Sequence, residues 1–190
     1  MFEDVLPPAL LREVEVAADS YLATDLGATD VPGSLCATHW VALTSGPSGT
    51  PRLARPASHP FERAVAWLCA QRVLITWLAR RGLTFSGVEC WLQEQGSDDD
   101  PKGMHTDRDV CMVRGAEGVE YRSAYPCISS VFYLTTPGGP TAVFDQRPAR
   151  DGGYEPEMPN RLWVVPPKPN RCSKPPPPAP SSDAELRLQA

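Results

Sequence analysis

His105 and Asp107 stand two residues apart in GMHTDRDV, residues 103–110. In an extended segment, residues i and i+2 point to the same side. This spacing therefore lets an imidazole and a carboxylate reach one metal ion. Two side chains leave a coordination shell incomplete, and the rest of the chain must supply a third. With three histidines and twelve aspartates in 190 residues, an H-x-D arises by chance in about one such chain in five. The plainer reading of the pair alone is a local hydrogen bond. His59 precedes a proline and reads as a turn residue, and His39 reads as a strand or loop residue. Neither is expected to be the third ligand.

Other residues with metal or nucleophile chemistry are spread thinly. Cys36, Cys69, Cys90, Cys111, Cys127 and Cys172 include no C-x-x-C pair, so a structural zinc site is not expected. Six reduced thiols in a cytoplasmic or nuclear protein are the expectation. Zinc held by His105, Asp107 and either Cys111 or Cys127 is a lower-ranked alternative. The run Asp98-Asp99-Asp100 lacks the alternating spacing of a calcium loop and reads as a solvated loop.

The elements that must position the pair follow from periodicity. Residues 7–23 predict a helix that opens on Pro7-Pro8 and buries Leu10, Val14, Ala17 and Tyr21. Residues 30–60 are rich in Pro, Gly, Ser and Thr and read as loop, with a short strand at 39–43. A single, well-buried helix is expected over 60–81, with Phe61, Val65, Cys69, Val73 and Trp77 at four-residue steps. The period then changes to two. Val88, Cys90 and Leu92 alternate with Glu89, Trp91 and Gln93. Residues 127–134 and 141–146 predict a hairpin around TTPGGP, and 161–165 predict a further strand. Helices followed by short strands point to an α+β chain with an antiparallel β core. The expected organisation is a helical region at 1–83, the β core at 84–165 and a disordered, Pro-rich tail at 166–190.

Composition narrows the function classes. A net charge of −5, with no basic stripe interleaved with aromatics, argues against nucleic acid as the partner. The first residues, MFEDVLPPALLREVEV, lack a basic region followed by an apolar run. Residues 64–79 are short for a membrane span and are interrupted by Gln71 and Arg72. No membrane partner is expected. Eight of the 22 prolines fall in 166–180, so that segment is expected to adopt polyproline II or to lack structure.

The succession VECWLQEQ, GMHTDRDV, YPCISSVFYLTTPGGPTAVFDQ and PNRLWVVPPKPNR resembles the Fe(II)/2-oxoglutarate-dependent dioxygenases, and most of all their prolyl-hydroxylase-like members, over residues 86–171. Two histidines and a carboxylate with open positions are the ligand set of such non-haem iron enzymes. The resemblance implies a partial double-stranded β-helix, the jelly roll of the cupins, with the helices packed on it. It implies Fe(II) and 2-oxoglutarate as cofactors, with His105 and Asp107 as two iron ligands. Asp109 then lies outside the ligand set. Trp91, Gln93 and Tyr133 become candidates for the pocket wall, with plain core packing as the competing role. The implied reaction is hydroxylation of a C–H bond, with a protein side chain as a substrate class.

In the family, a distal histidine and a basic 2-oxoglutarate anchor follow the N-R segment. Here the resemblance stops at Arg171, and CSKPPPPAPSSDAELRLQA contains no histidine. The expectation is a relative truncated at its C-terminus, of marginal stability and with weak or absent catalysis. The alternative function is a non-catalytic binding module whose P-x-x-P segments in 166–180 dock in SH3 or WW domains.

Overall fold

A computed structural model describes residues 1–23, 39–46, 49–83, 86–94, 103, 105, 107, 109–115, 118–124, 126–149 and 153–173. For 109–115, 118–124 and 147–148 the description concerns the backbone. The chain divides into two compact units. One is Glu3–Asp99; the other is Asp100–Ala190 with Met1–Phe2.

In the first unit, α1 spans Pro8–Leu22. Proline suits its first turn, where the missing N–H costs no hydrogen bond, and Leu11 N–H donates to Pro7 O at 2.9 Å. Val14 and Ala18 are its buried residues, while Leu10, Ala17 and Tyr21 are half-buried. Of the four residues expected to be buried, Val14 is, and Ala18, one turn on, joins it in place of Ala17. Strands β1 (His39–Ser45) and β2 (Pro51–Leu53) pair antiparallel. On the other side of β1, β3 (Gly87–Cys90) pairs antiparallel, with Val41 opposite Val88 and Ala42 opposite Gly87. The predicted alternation holds: Val88, Cys90 and Leu92 are half-buried, and Glu89, Trp91 and Gln93 are exposed. Gly87 has a steric reason. A Cβ there would meet the Trp40 indole at 2.1 Å.

The expected single helix over 60–81 is instead two, α2 (Pro60–Cys69) and α3 (Arg72–Ala79). Gln71 between them is extended, with φ −62° and ψ 127°, and its side-chain amide donates to Trp67 O at 3.1 Å. The geometry of the stripe explains the break. Four-residue steps advance about 40° beyond a full turn each, so a strict 4-4-4-4 stripe winds off one face of a straight helix. Val65 and Cys69 are buried, but Val73 is 47% exposed and Leu78 is the buried residue of α3. The expectation of a well-buried helix therefore holds for α2 and fails for α3. The core of this unit joins Val41 and Leu43 of β1 to Val65 and Cys69 of α2, with Leu53, Val88 and Cys90 packed against them. Each such fully buried aliphatic side chain contributes about 1.5–3 kcal/mol.

The second unit consists of short antiparallel pairs. β4 (Asp109–Gly115) and β5 (Gly118–Ala124) form a ladder from Asp109–Ala124 to Gly115–Gly118. β6 (Val131–Tyr133) and β7 (Thr141–Phe144) were expected to form a hairpin, and they do not pair with each other. β7 pairs with β10 (Leu162–Val165), and β6 with β11 (Arg171–Ser173). The TTPGGP connection carries two prolines that cannot donate to a ladder and two glycines that do not fix a register. The small β8 (Arg147–Pro148) and β9 (Tyr154–Glu155) pair nearby in sequence.

β11 also corrects the expectation that ordered structure ends at Pro166. Pro169 and Asn170 are the central residues of a turn closed by Arg171 N–H to Lys168 O at 3.1 Å. Asn170 takes the left-handed conformation, φ 60°, that this turn demands of its third residue. The prolines occupy the link and the turn. The paired residues Arg171, Cys172 and Ser173 all carry N–H groups. On the far side of β11, Phe2 and Cys172 exchange backbone hydrogen bonds of 3.0 and 2.9 Å. Helices and antiparallel strands together make an α+β chain, and among the described residues the sheets do not close into a barrel. No described helix is long and apolar enough to cross a membrane.

Candidate functional site

The H-x-D pair lies just ahead of β4. Its side chains converge: His105 Nε2 stands 3.6 Å from Asp107 Oδ1. The other ring nitrogen, Nδ1, is 2.8 Å from Gly103 O. A carbonyl only accepts, so Nδ1 carries the proton, and Nε2 is turned to the carboxylate. This is the arrangement that orients a metal-binding histidine: one nitrogen tied to a carbonyl, the other presented outward. Two ligands at about 2.1 Å from one metal, about 90–110° apart, stand roughly 3.0–3.4 Å from each other. The observed separation is slightly wider. Both side chains remain open to solvent, at 49% and 34% exposure, so an ion has a way in.

Among the described residues, no three His, Cys, Asp or Glu side chains are grouped to hold a metal. Asp109 and Cys111 begin β4, where the backbone is described, and Cys127 is exposed. The pair thus sets two donor groups side by side.

Trp91, 48% exposed, and Gln93 follow β3 in Glu3–Asp99, whereas His105, Asp107 and Tyr133 belong to the other unit. The half-buried Tyr133 hydroxyl stands 2.6 Å from Thr141 Oγ1 and 3.2 Å from Val165 O. A phenol has one proton; it goes to the Val165 carbonyl, and the Thr141 hydroxyl donates to the phenolic oxygen. Tyr133 therefore fastens β6 to β7 and β10. The Asp98–Asp100 run and the proline cluster at 174–180 lie outside the described residues.

A second cluster, centred on Glu62, was not expected from the sequence. His59 is the N-cap of α2, its Nδ1 accepting from Phe61 N–H at 3.3 Å. Glu62 is then the third helical residue, from which a carboxylate can fold back over the helix start. Its side chain is 3% exposed. Oε2 accepts from Ser58 N–H at 2.6 Å and from the Ser58 hydroxyl at 3.1 Å. Oε1 meets Arg55 Nη2 at 2.5 Å and His39 Nε2 at 3.4 Å. The Ser58 N–H, more than the His39, Ser58 hydroxyl and Arg55 contacts, holds the carboxyl at a pKa of about 2, against the opposing effect of burial. Cys90 faces the same carboxylate. Burial, and then Glu62 and Glu89, push its thiol up, which makes it a poor nucleophile and a poor metal ligand. The Glu at the third helical position was the one signal of this cluster in the sequence.

No protein-family model, no curated protein and no solved structure matches this chain.

Proposed function

We propose that this chain is a dioxygenase-like protein of the Fe(II)/2-oxoglutarate, prolyl-hydroxylase-like kind, built on part of a jelly roll, with an iron site of two protein donors and weak or absent turnover. The observation that carries this reading is the convergence of His105 Nε2 and Asp107 Oδ1, with Nδ1 tied back to Gly103 O. The antiparallel pairs β7–β10 and β6–β11, fastened by Tyr133, support it as sheet fragments of the kind a jelly roll is made of. The described residues do not complete a three-ligand set, and no reaction step is assigned to the site. By descent, the substrate class would be a C–H bond on a protein side chain.

The test is anaerobic titration of the purified chain with Fe(II), with and without 2-oxoglutarate, following the visible charge-transfer band of a chelated iron–oxoacid complex. The expected result is weak iron uptake that vanishes in His105→Ala, with little or no band on adding 2-oxoglutarate. Iron uptake that is unchanged in His105→Ala would refute the site. Release of succinate from 2-oxoglutarate at an ordinary enzymatic rate, about 1 s⁻¹ or more, would refute the claim of weak turnover.

A further inference from the structure

We propose that Ser58 is a phosphorylation site for a protein kinase that reads arginines three and six residues before its acceptor serine, and that the phosphate opens the contact between Ser58, Arg55 and Glu62. The segment RLARPAS places Arg52 and Arg55 at those two positions. It begins at Arg52 within β2 and ends at Ser58, one residue before the N-cap of α2, and over 54–58 it forms neither helix nor strand. Arg55 and Ser58 are exposed residues. The irregular connection after β2 is the kind of segment that can enter an enzyme's peptide groove; Arg52 stays within β2 with its side chain exposed, while Leu53 packs on the core.

The geometry assigns a consequence to the modification. Arg55 spans two acceptors, with Nη1 3.2 Å from Ser58 Oγ and Nη2 2.5 Å from Glu62 Oε1. The Ser58 hydroxyl donates to Glu62 Oε2 at 3.1 Å. In the transfer, Ser58 Oγ bonds to the γ-phosphorus of ATP as the bond from that phosphorus to its bridging oxygen breaks. ADP leaves, and the hydroxyl proton passes to the kinase's base. Glu62 thereby loses a donor and gains an adjacent group of charge about −1.5 to −2. Arg55, already in contact with Oγ, is drawn to the phosphate, where paired N–H donors match the oxygens. The start of α2 also attracts an anion. That attraction acts on an exposed phosphate in water, whereas the repulsion falls on a carboxylate that is 3% exposed. The first turn of α2 and its tie to His39 of β1 therefore loosen.

The experiment treats the full chain with ATP and the catalytic subunit of an arginine-directed serine kinase, then maps the phosphate by mass spectrometry. The expected result is phosphate on Ser58, lost in Ser58→Ala and slowed in Arg55→Ala. The phosphorylated chain should melt several degrees lower. Amide exchange at Glu62, Arg63 and Ala64 should be about tenfold faster or more. In Glu62→Gln the fall in Tm on phosphorylation should shrink, because the like charge is gone. Phosphate incorporated elsewhere but not at Ser58 would overturn the site. A phosphorylated chain that melts as high as the unmodified one, with unchanged exchange at 62–64, would overturn its consequence. Should Glu62→Gln fail to fold, the exchange measurement on the native chain decides alone.

Discussion

His39–Glu62 and His105–Asp107 each set an imidazole beside a carboxylate, at 3.4 and 3.6 Å. The histidines are equally open, 52% and 49% exposed, but Glu62 is 3% exposed and Asp107 is 34% exposed. Glu62 has donors on both oxygens, from Ser58, Arg55 and His39, and serves as a clamp across β1, the β2–α2 connection and α2. Asp107 faces an imidazole whose other nitrogen is already spoken for by Gly103 O. An imidazole beside a carboxylate therefore makes a clamp where donors surround the carboxylate, and stays open to solvent where they do not. Distance between the partners does not separate the two cases. Burial and the number of donors do.

Removing each pair in turn sharpens that contrast. Glu62→Ala should have the largest effect, a loss of about 1–3 kcal/mol in urea unfolding, because the hydrogen bonds accepted by a charged, buried carboxylate are lost together. The cost stays below that of breaking a wholly buried ion pair because Arg55 is 59% exposed and is rehydrated. Acid should act on the same group. The Glu62 pKa is lowered on folding, so its contribution is present above the usual carboxylate range and lost as pH falls from about 4.5 to about 2. Melting temperature against pH should show this loss in the native chain, and Glu62→Gln should flatten it. Tyr133→Phe should cost about 0.5–1.5 kcal/mol by the same unfolding assay: the bonds to Val165 O and from the Thr141 hydroxyl are both lost, and the freed hydroxyl can turn to water. Asp107→Asn should shift stability least, by no more than about 0.5 kcal/mol, while abolishing divalent-metal uptake.

The sequence made the pair before β4 legible because its partners are two residues apart and any extended backbone brings them together. The clamp was not legible, since His39 and Glu62 are 23 residues apart and meet only once β1 and α2 share a core. The alternation through Val88, Cys90 and Leu92 was read correctly because period two translates directly into burial. The stripe at 61–77 misled, because its period fits neither a straight helix nor a strand, and the chain resolved the misfit by breaking at Gln71. Strand partners failed for a related reason. Tyr133 marks β6 as a strand, but nothing local in β6 names Arg171–Ser173, beyond four intervening strands, as its partner.

The most direct test of the contrast is to titrate a paramagnetic divalent ion, Mn(II) or Fe(II) under anaerobic conditions, into the chain while following the ring-proton NMR signals of its three histidines. The account predicts that His105 broadens first and at the lowest metal concentration, while His39 and His59 stay sharp, and that Asp107→Asn removes the effect. Broadening of His39 before His105, or of all three together, would contradict it.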